Sequence, residues 1–173
     1  FENRKNVYNT FTEDDEVVIT EKLHGTNFRC GIVEKTDISI LDRFKDGLGF
    51  KTDKYTFCYG SHNVMLGSGK KGWYDTDVYG EMVKKHYLDE KLEVLKEDLA
   101  IDTIIIYGEI VGEGIQKDYS YSLPDKDLYI FDVKINGEYV DYLQVTEICF
   151  QLGLKEVPVL YIGKFSNEKV DSG

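Results

Sequence analysis

A short polar segment, EKLHGTN at residues 21 to 27, contains the side chains of this chain that are best suited to chemistry. It brings together a carboxylate, an amine and an imidazole, and burying so many polar groups without a function would be costly. Lys22 is the candidate that matters most. A lysine stays protonated near neutral pH, so its amine becomes a nucleophile only in a desolvated or cation-rich site.

Two predicted strands must position Lys22. Residues 16 to 20, EVVIT, are predicted as the first strand because four of the five are β-branched, and residues 27 to 33 are predicted as the second, after a tight connection that includes Gly25. Lys22 is then expected at a strand end, facing whatever the sheet encloses. Each residue of the segment also has an ordinary interpretation, as a surface lysine, a turn glycine, a structural histidine or a solvated glutamate.

Two later strands carry further candidates. Residues 104 to 111 are a continuous apolar run with the length of a buried strand, and Glu109 near its end needs a ligand or a partner if it is buried. Residues 127 to 135 are also predicted as a strand. Phe131 lies within it, and an aromatic residue in an apolar strand is usually part of the core.

The rest of the chain alternates between the two kinds of element. Further strands are predicted at 37–41, 56–60, 138–142 and 157–165, and helices at 75–99 and 143–152, the second closed by Gly153. Asn136-Gly137 is the strongest short hairpin signal. These elements predict one α+β domain of mainly antiparallel sheets with flanking helices.

Composition narrows the class of protein. The chain has 173 residues, 42% of them hydrophobic, which is enough for the core of one domain. Three cysteines without a CxxC pair argue against a structural zinc site and a disulfide framework. With no segment typical of a membrane span or signal peptide, we expect a cytoplasmic protein. The net charge of −11 is unusual for a nucleic-acid binder, which normally carries a basic surface.

Two simpler motifs are not specific here. The pattern Lys-x-x-Gly occurs at Lys22 and again at Lys134, where it is only the hairpin turn. The segment GSGKKG at residues 67 to 72 lacks the GxxxxGK[ST] spacing of a phosphate-binding loop. The histidines and cysteines do not have the spacing of metal ligands.

Three segments in order resemble the motifs of one family. EKLHGTNF at 21–28 resembles motif I of the ATP-dependent RNA ligases, in the branch typified by the second RNA ligase of phage T4. YGEIVGEGIQ at 107–116 resembles motif III, and DLYIFD at 127–132 resembles motif IIIa. Together the three motifs are far more specific than any one of them alone.

The resemblance implies a covalent nucleotidyltransferase with an ATP-grasp-like ligase fold. In this family the lysine, here Lys22, attacks the α-phosphorus of ATP, expels pyrophosphate and holds AMP as a phosphoramidate. AMP then passes to an RNA 5′-phosphate, and a 3′-hydroxyl is joined with release of AMP. The implied partners are therefore RNA ends, and the implied cofactors are ATP and a divalent cation, Mg²⁺ or Mn²⁺.

The resemblance also implies roles for the neighbours of Lys22. Glu21 would contact the adenine edge, and His24 would orient the pyrophosphate leaving group. Gly25 would let the backbone approach the nucleotide closely, where a Cβ would intrude. Asn27 would bond to the phosphates or to the incoming RNA end.

Four residues beyond this segment complete the implied site. Glu109 would serve the sugar or the metal ion, and Phe131 would stack on adenine, which is worth about 1–3 kcal/mol. Arg29 could reach the phosphates. His62 stands where relatives carry an arginine, and a histidine lacks the permanent two-pronged charge of that residue.

The family pattern continues with a later glutamate for metal and a Lys-x-Lys pair for the α-phosphate, which this chain does not reach. We therefore expect residues 1–173 to be an adenylyltransferase domain that is incomplete at its carboxyl end. Two alternatives stay open. One is a DNA ligase or a GTP-using capping enzyme, against which Glu21 and the HGTN string argue; the other is a noncatalytic module that binds nucleotides or RNA ends.

Overall fold

In a computed structural model, the residues described are 10–35, 54–62, 65–66, 77–117, 121 and 123–166. The strands are β1 (Glu16–Thr20), β2 (Thr26–Glu34), β3 (Tyr55–Gly60), β4 (Met65–Leu66), β5 (Ile104–Val111), β6 (Asp127–Ile135), β7 (Glu138–Tyr139), β8 (Lys155–Glu156) and β9 (Val159–Lys164). The helices are α1 (Val78–His86), α2 (Leu88–Asp98) and α3 (Tyr142–Leu152). Within these ranges, no helix combines the length and the apolar character needed to cross a membrane.

The main sheet has the strand order β4-β3-β2-β5-β6-β7, and every neighbouring pair in that path is antiparallel. β8 adds to β6 as a parallel partner. β1 and β9 form a separate antiparallel ribbon that carries the chain into the polar segment. The prediction of an α+β domain with mainly antiparallel sheets is confirmed.

One face of the main sheet packs against the helices. Because side chains alternate along a strand, every second residue of β2, β5 and β6 points into this core. The buried strand residues are Phe28, Cys30, Ile32, Ile104, Ile106, Ile110, Leu128, Ile130 and Val133. The residues between them are left for the opposite face, where the polar candidates lie.

The predicted single helix at 75–99 is wrong, because the structure has two helices with a break at Tyr87. Tyr87 has the left-handed values φ 54° and ψ 45°, which end α1 and begin α2. In one straight helix, Leu88 would lie about 120° around the axis from Met82, since each residue advances about 100°. The break allows both side chains to be buried in the same core.

The bounds of two other predicted strands also differ from those observed. The predicted strand 138–142 shortens to β7, because Asp141 caps α3 through a capping box with Gln144. The strand predicted at 157–165 corresponds to β9, which begins just after Pro158, a residue that has no amide hydrogen to donate, and β8 precedes the predicted range. The strand predicted at 37–41 and the segment at 67–72 lie outside the described residues.

The end of α2 generates a test of the fold. Ala100 has φ 51°, and it follows a turn in which the Ala100 and Ile101 amides donate to Glu97 and Lys96. A left-handed conformation favours glycine over alanine, so we expect Ala100→Gly to raise the free energy of unfolding by about 1 kcal/mol in urea titrations. The control is Glu93→Gly within α2, which should lower it by about 1 kcal/mol. A loss in both variants would contradict the turn.

Candidate functional site

The face of the main sheet opposite the helices carries two rows of side chains. In the first row, the register places Asn27 of β2 opposite Glu109 of β5, and Glu109 opposite Tyr129 of β6. In the second row, Arg29 lies opposite Tyr107, and Tyr107 lies opposite Asp132. The structure therefore gathers residues from three strands, including three predicted site residues, on one surface.

A β-bulge adjusts the β6 side of this surface. Tyr107 pairs with Asp132 whereas the next residue, Gly108, pairs with Ile130, so Phe131 is an extra residue in β6. Ile130 is buried in the main core, and Phe131 packs on the other side of the sheet. Consecutive residues Phe131 and Asp132 thus both face the site, which strict alternation would forbid.

Lys22 lies on the connection between β1 and β2, two residues beyond the end of β1. Its side chain is exposed, whereas the next residue, Leu23, is buried. The Glu21 amide donates to the Pro158 carbonyl oxygen at 2.8 Å, which holds the start of the connection against the β8–β9 turn. The backbone just before Lys22 is thus held in place by this hydrogen bond, while its side chain is not buried by the described residues.

The end of the connection is anchored to β5. The Gly25 amide donates to Glu109 Oε1 at 3.0 Å, and the Gly25 carbonyl oxygen accepts a bond from Gln116 Nε2 at 2.9 Å. A Cβ on Gly25 would lie 2.1 Å from the Ile110 carbonyl oxygen. The glycine is therefore required by the neighbouring strand, a reason that the sequence did not reveal.

Glu109 is a carboxylate held in a partly desolvated position. Burial raises the pKa of Glu109, and the Gly25 amide together with the nearby Lys22 and His24 side chains oppose that rise. Lys22 and His24 are therefore each within electrostatic reach of Glu109. Perturbed carboxylates of this kind are typical of functional sites.

A small apolar cluster lies beside these polar groups, on the same side of the sheet. Its buried members are Leu23, Val111 and Val157, and the half-buried residues packed on it are Tyr121, Leu123, Tyr129 and Phe131. Phe131 therefore belongs to this cluster and not to the main core, which was its ordinary interpretation. Like the other residues that pack on the cluster, Phe131 is only partly buried.

The two candidate phosphate contacts lie together. Arg29 Nη2 donates to the His62 carbonyl oxygen at 2.7 Å, and the register places Arg29 opposite Gly60. The His62 side chain is exposed. The structure thus places the cation of Arg29 beside the position that departs from the family pattern.

The described residues contain no group of three histidine, cysteine or acidic side chains that could hold a metal ion. Glu109 and Asp132 are the carboxylates in the two rows, and burial raises the pKa of Asp132 as well. A hard cation at this surface would need oxygen ligands beyond these carboxylates, as Mg²⁺ commonly takes from water or from phosphate groups.

Three residues of the site were missed as candidates. Asp132 was the last letter of a recognised motif, but only the bulge shows that it faces the site. Gln116 closed another motif, and only the structure shows its bond to Gly25. Tyr121, whose hydroxyl accepts a bond from the His24 amide at 2.7 Å, had no sequence signal.

Comparison with known proteins gives one family. A family model described as RNA ligase matches residues 15–172. The finer assignment to the branch typified by the second RNA ligase of phage T4 stays a prediction.

Solved structures have the same fold. An aspartate-to-alanine variant of Naegleria gruberi RNA ligase in its apo form matches with a TM-score of 0.65 and 19% identity over 92% of this chain and 40% of that one. A lysine-to-alanine variant of the same ligase with ATP and Mn matches with a TM-score of 0.64 and 17% identity over 92% and 40%. A candidate ATP-dependent DNA ligase from Aquifex aeolicus matches with a TM-score of 0.54 and 18% identity over 98% and 38%. The chain therefore spans about two fifths of the length of these proteins, and such identities concern the fold alone.

Crowding at Gly25 can be tested by substitution. We expect Gly25→Ala to lower the free energy of unfolding by about 2 kcal/mol, because the added methyl group collides with the β5 backbone. Gly114→Ala is the control: Gly114 has φ +78° with nothing within 4 Å, so this variant should lose only about 1 kcal/mol for its backbone conformation. Equal losses of free energy of unfolding in the two variants, measured by urea titration, would show that crowding against β5 is not the reason for a glycine at position 25.

The state of Glu109 predicts a pH dependence. Its folded-state pKa lies above the ordinary value of 4.5, so its stabilising contribution is complete below that value and is lost as the pH rises through the folded-state pKa. Glu109→Gln keeps an oxygen for the Gly25 amide and carries no charge. We expect the difference in free energy of unfolding, Glu109→Gln minus wild type, to increase as pH rises from about 4 to about 7. A constant difference across that range would contradict the raised pKa.

Proposed function

Because the chain belongs to the RNA ligase family, we propose that it is the adenylyltransferase part of an ATP-dependent RNA ligase. The Lys22 nitrogen attacks the α-phosphorus of ATP, a nitrogen–phosphorus bond forms, and pyrophosphate leaves. AMP then passes to an RNA 5′-phosphate, and attack by a 3′-hydroxyl joins the ends and releases AMP. Since the chain spans about 40% of the first matched ligase, the joining steps are proposed for the whole protein.

The observation that carries this proposal is the contact between the Lys22 connection and β5. The Gly25 amide bonds to Glu109, which is 84 positions away in the sequence, and Lys22 and His24 both act on the Glu109 carboxylate. An amine, an imidazole and a carboxylate therefore converge beside an apolar cluster. This combination of a nucleophile, polar groups and an apolar surface suits a nucleotide.

We assign the base of ATP to the apolar side of the site. Phe131 would stack on adenine, and the adjoining cluster of Leu23, Val111 and Val157 would support it. Glu21 would accept a bond from the adenine edge and so favour ATP over GTP. The sugar would lie toward Glu109, whose carboxylate can accept bonds from hydroxyl groups.

We assign the phosphates to the polar side of the site. Arg29 on β2 carries a permanent charge, and Asn27 lies two residues away on the same face of that strand. His24 would orient the pyrophosphate, and His62 could contribute when it is protonated. These groups would neutralise charge that develops as pyrophosphate leaves.

A divalent cation, Mg²⁺ or Mn²⁺, fits this site with Glu109 as a protein ligand and the phosphates as the remaining anionic ligands. Such a cation supplies electrostatic stabilisation of the phosphate oxygens. Glu109 is the carboxylate that is bonded to the Lys22 connection, so we assign it as the residue that would hold the cation.

RNA ends are the proposed partner of the whole protein, in the cytoplasm. The net charge of −11 repels RNA at long range, so the proposal depends on local cations such as Arg29. Free cysteines, with Cys30 and Cys149 buried, suit a reducing compartment.

The covalent step is tested by intact-mass spectrometry, with ATP and Mg²⁺, of the chain and of a longer form of the protein that includes the later motifs of the family. We expect one AMP adduct, removed by added pyrophosphate and absent in Lys22→Ala. Lys134→Ala is the matched control, because it alters the second Lys-x-x-Gly sequence, in a hairpin at the far end of β6. This control should form the adduct at the wild-type rate.

The other outcomes separate the alternatives. An adduct that persists in Lys22→Ala would rule out the proposed nucleophile. An adduct formed with GTP and not with ATP would favour the capping-type enzyme. Stoichiometric ATP binding without any adduct, repeated in a longer form of the protein, would favour a noncatalytic module.

A further inference from the structure

Tyr121 lies on the connection between β5 and β6, far in sequence from the segment that bears Lys22. Its hydroxyl oxygen accepts a hydrogen bond from the His24 amide at 2.7 Å, across 97 positions of sequence. Because the donor is a backbone amide, this bond restrains the backbone two residues after Lys22. No role is assigned to this tyrosine by the motifs.

The ring of Tyr121 is held on the same side of the sheet. It packs on the cluster of Leu23, Val111 and Val157, and Leu23 is the residue directly after Lys22. Tyr121 therefore contacts the Lys22 connection in two ways, through the apolar cluster that includes Leu23 and through the His24 amide.

The backbone of Tyr121 adopts a conformation that tyrosine rarely takes. Its φ is +52°, in the left-handed region that favours glycine. Such conformations persist where the surroundings hold the residue in place, and they are common at functional sites. The packed ring and the bonded hydroxyl supply that restraint.

The same connection also reaches Gly25. Gln116 donates to the Gly25 carbonyl oxygen at 2.9 Å, while Glu109 accepts from the Gly25 amide at 3.0 Å. The backbone is therefore fixed at residues 24 and 25 by groups from β5 and its following connection. Lys22, whose side chain is exposed, depends on this backbone for its direction.

We propose that Tyr121 is a positioning residue for Lys22, which uses its hydroxyl and ring to hold the backbone of residues 23 and 24 so that the amine meets the α-phosphorus in line. This proposal rests on the proposed function. It adds a requirement that the motifs do not contain, namely a phenol at position 121. Small displacements of a nucleophile reduce rate strongly, whereas binding of the nucleotide uses other groups.

The test uses Tyr121→Phe, which keeps the ring and removes the hydroxyl. We expect the maximal rate of AMP capture to fall about tenfold in single-turnover experiments, while the ATP concentration at half-maximal rate and the melting temperature stay unchanged. Exchange of the His24 amide hydrogen, followed by NMR, should become about tenfold faster because its acceptor is lost.

Tyr55→Phe is the matched control. The Tyr55 hydroxyl also bonds to a side chain, donating to Asp102 Oδ1 at 2.7 Å, and Tyr55 pairs with Glu34 at the end of β2 about 26 Å from Thr26. This variant should capture AMP at the wild-type rate and leave His24 exchange unchanged. A loss of rate in both variants would show a general effect of removing a tyrosine hydroxyl and would overturn the proposal.

Three further results would overturn it. Unchanged His24 exchange in Tyr121→Phe would show that the bond does not restrain the backbone. Faster exchange with an unchanged rate would show that the bond is structural and does not position Lys22. A slower rate that is restored by more ATP would show that Tyr121 serves nucleotide binding.

Failure of the proposed function gives a different pattern. In that case the wild-type protein forms no AMP adduct in its longer form either, and the positioning role falls with it. His24 exchange in Tyr121→Phe would still report whether the hydroxyl restrains the connection.

Discussion

The close approach of Gly25 to β5 is the constraint on which the site depends. With no side chain, Gly25 lets its amide reach Glu109 while its α-carbon lies against the Ile110 carbonyl group. This contact joins the connection that bears Lys22 to the strand that bears the carboxylate. Because Lys22 lies three residues before Gly25, this contact also ties the backbone that carries the lysine to β5.

One sheet serves both stability and function because its two faces have different chemistry. Residues of β2 that point to the helices, such as Phe28 and Ile32, are fully buried, and the residues between them, Asn27 and Arg29, face the site. This arrangement leaves the Glu109 carboxylate partly desolvated, and its burial raises its pKa. Its bond to Gly25 and the nearby cations offset part of that cost.

The sequence predicted those elements whose pattern is local. The runs at 104–111 and 127–135 are strands with the expected bounds, because short apolar runs flanked by turn residues favour buried strands. The helix ending at Gly153 is also as expected. The break at Tyr87 was missed because helix periodicity alone does not show where the helix must break so that its apolar residues on both sides face the same core.

By itself, the sequence determined the family, the strands and the identities of the candidate groups, since residue types and spacing are properties of the chain. Tertiary structure alone decided which groups meet. The bulge that turns both Phe131 and Asp132 to one face depends on pairing with β5, and the bond from His24 to Tyr121 spans residues that no local pattern connects. Local sequence sets the conformational preference of each segment. The packing of distant segments sets the distances between the site residues, and the proposed chemistry depends on those distances.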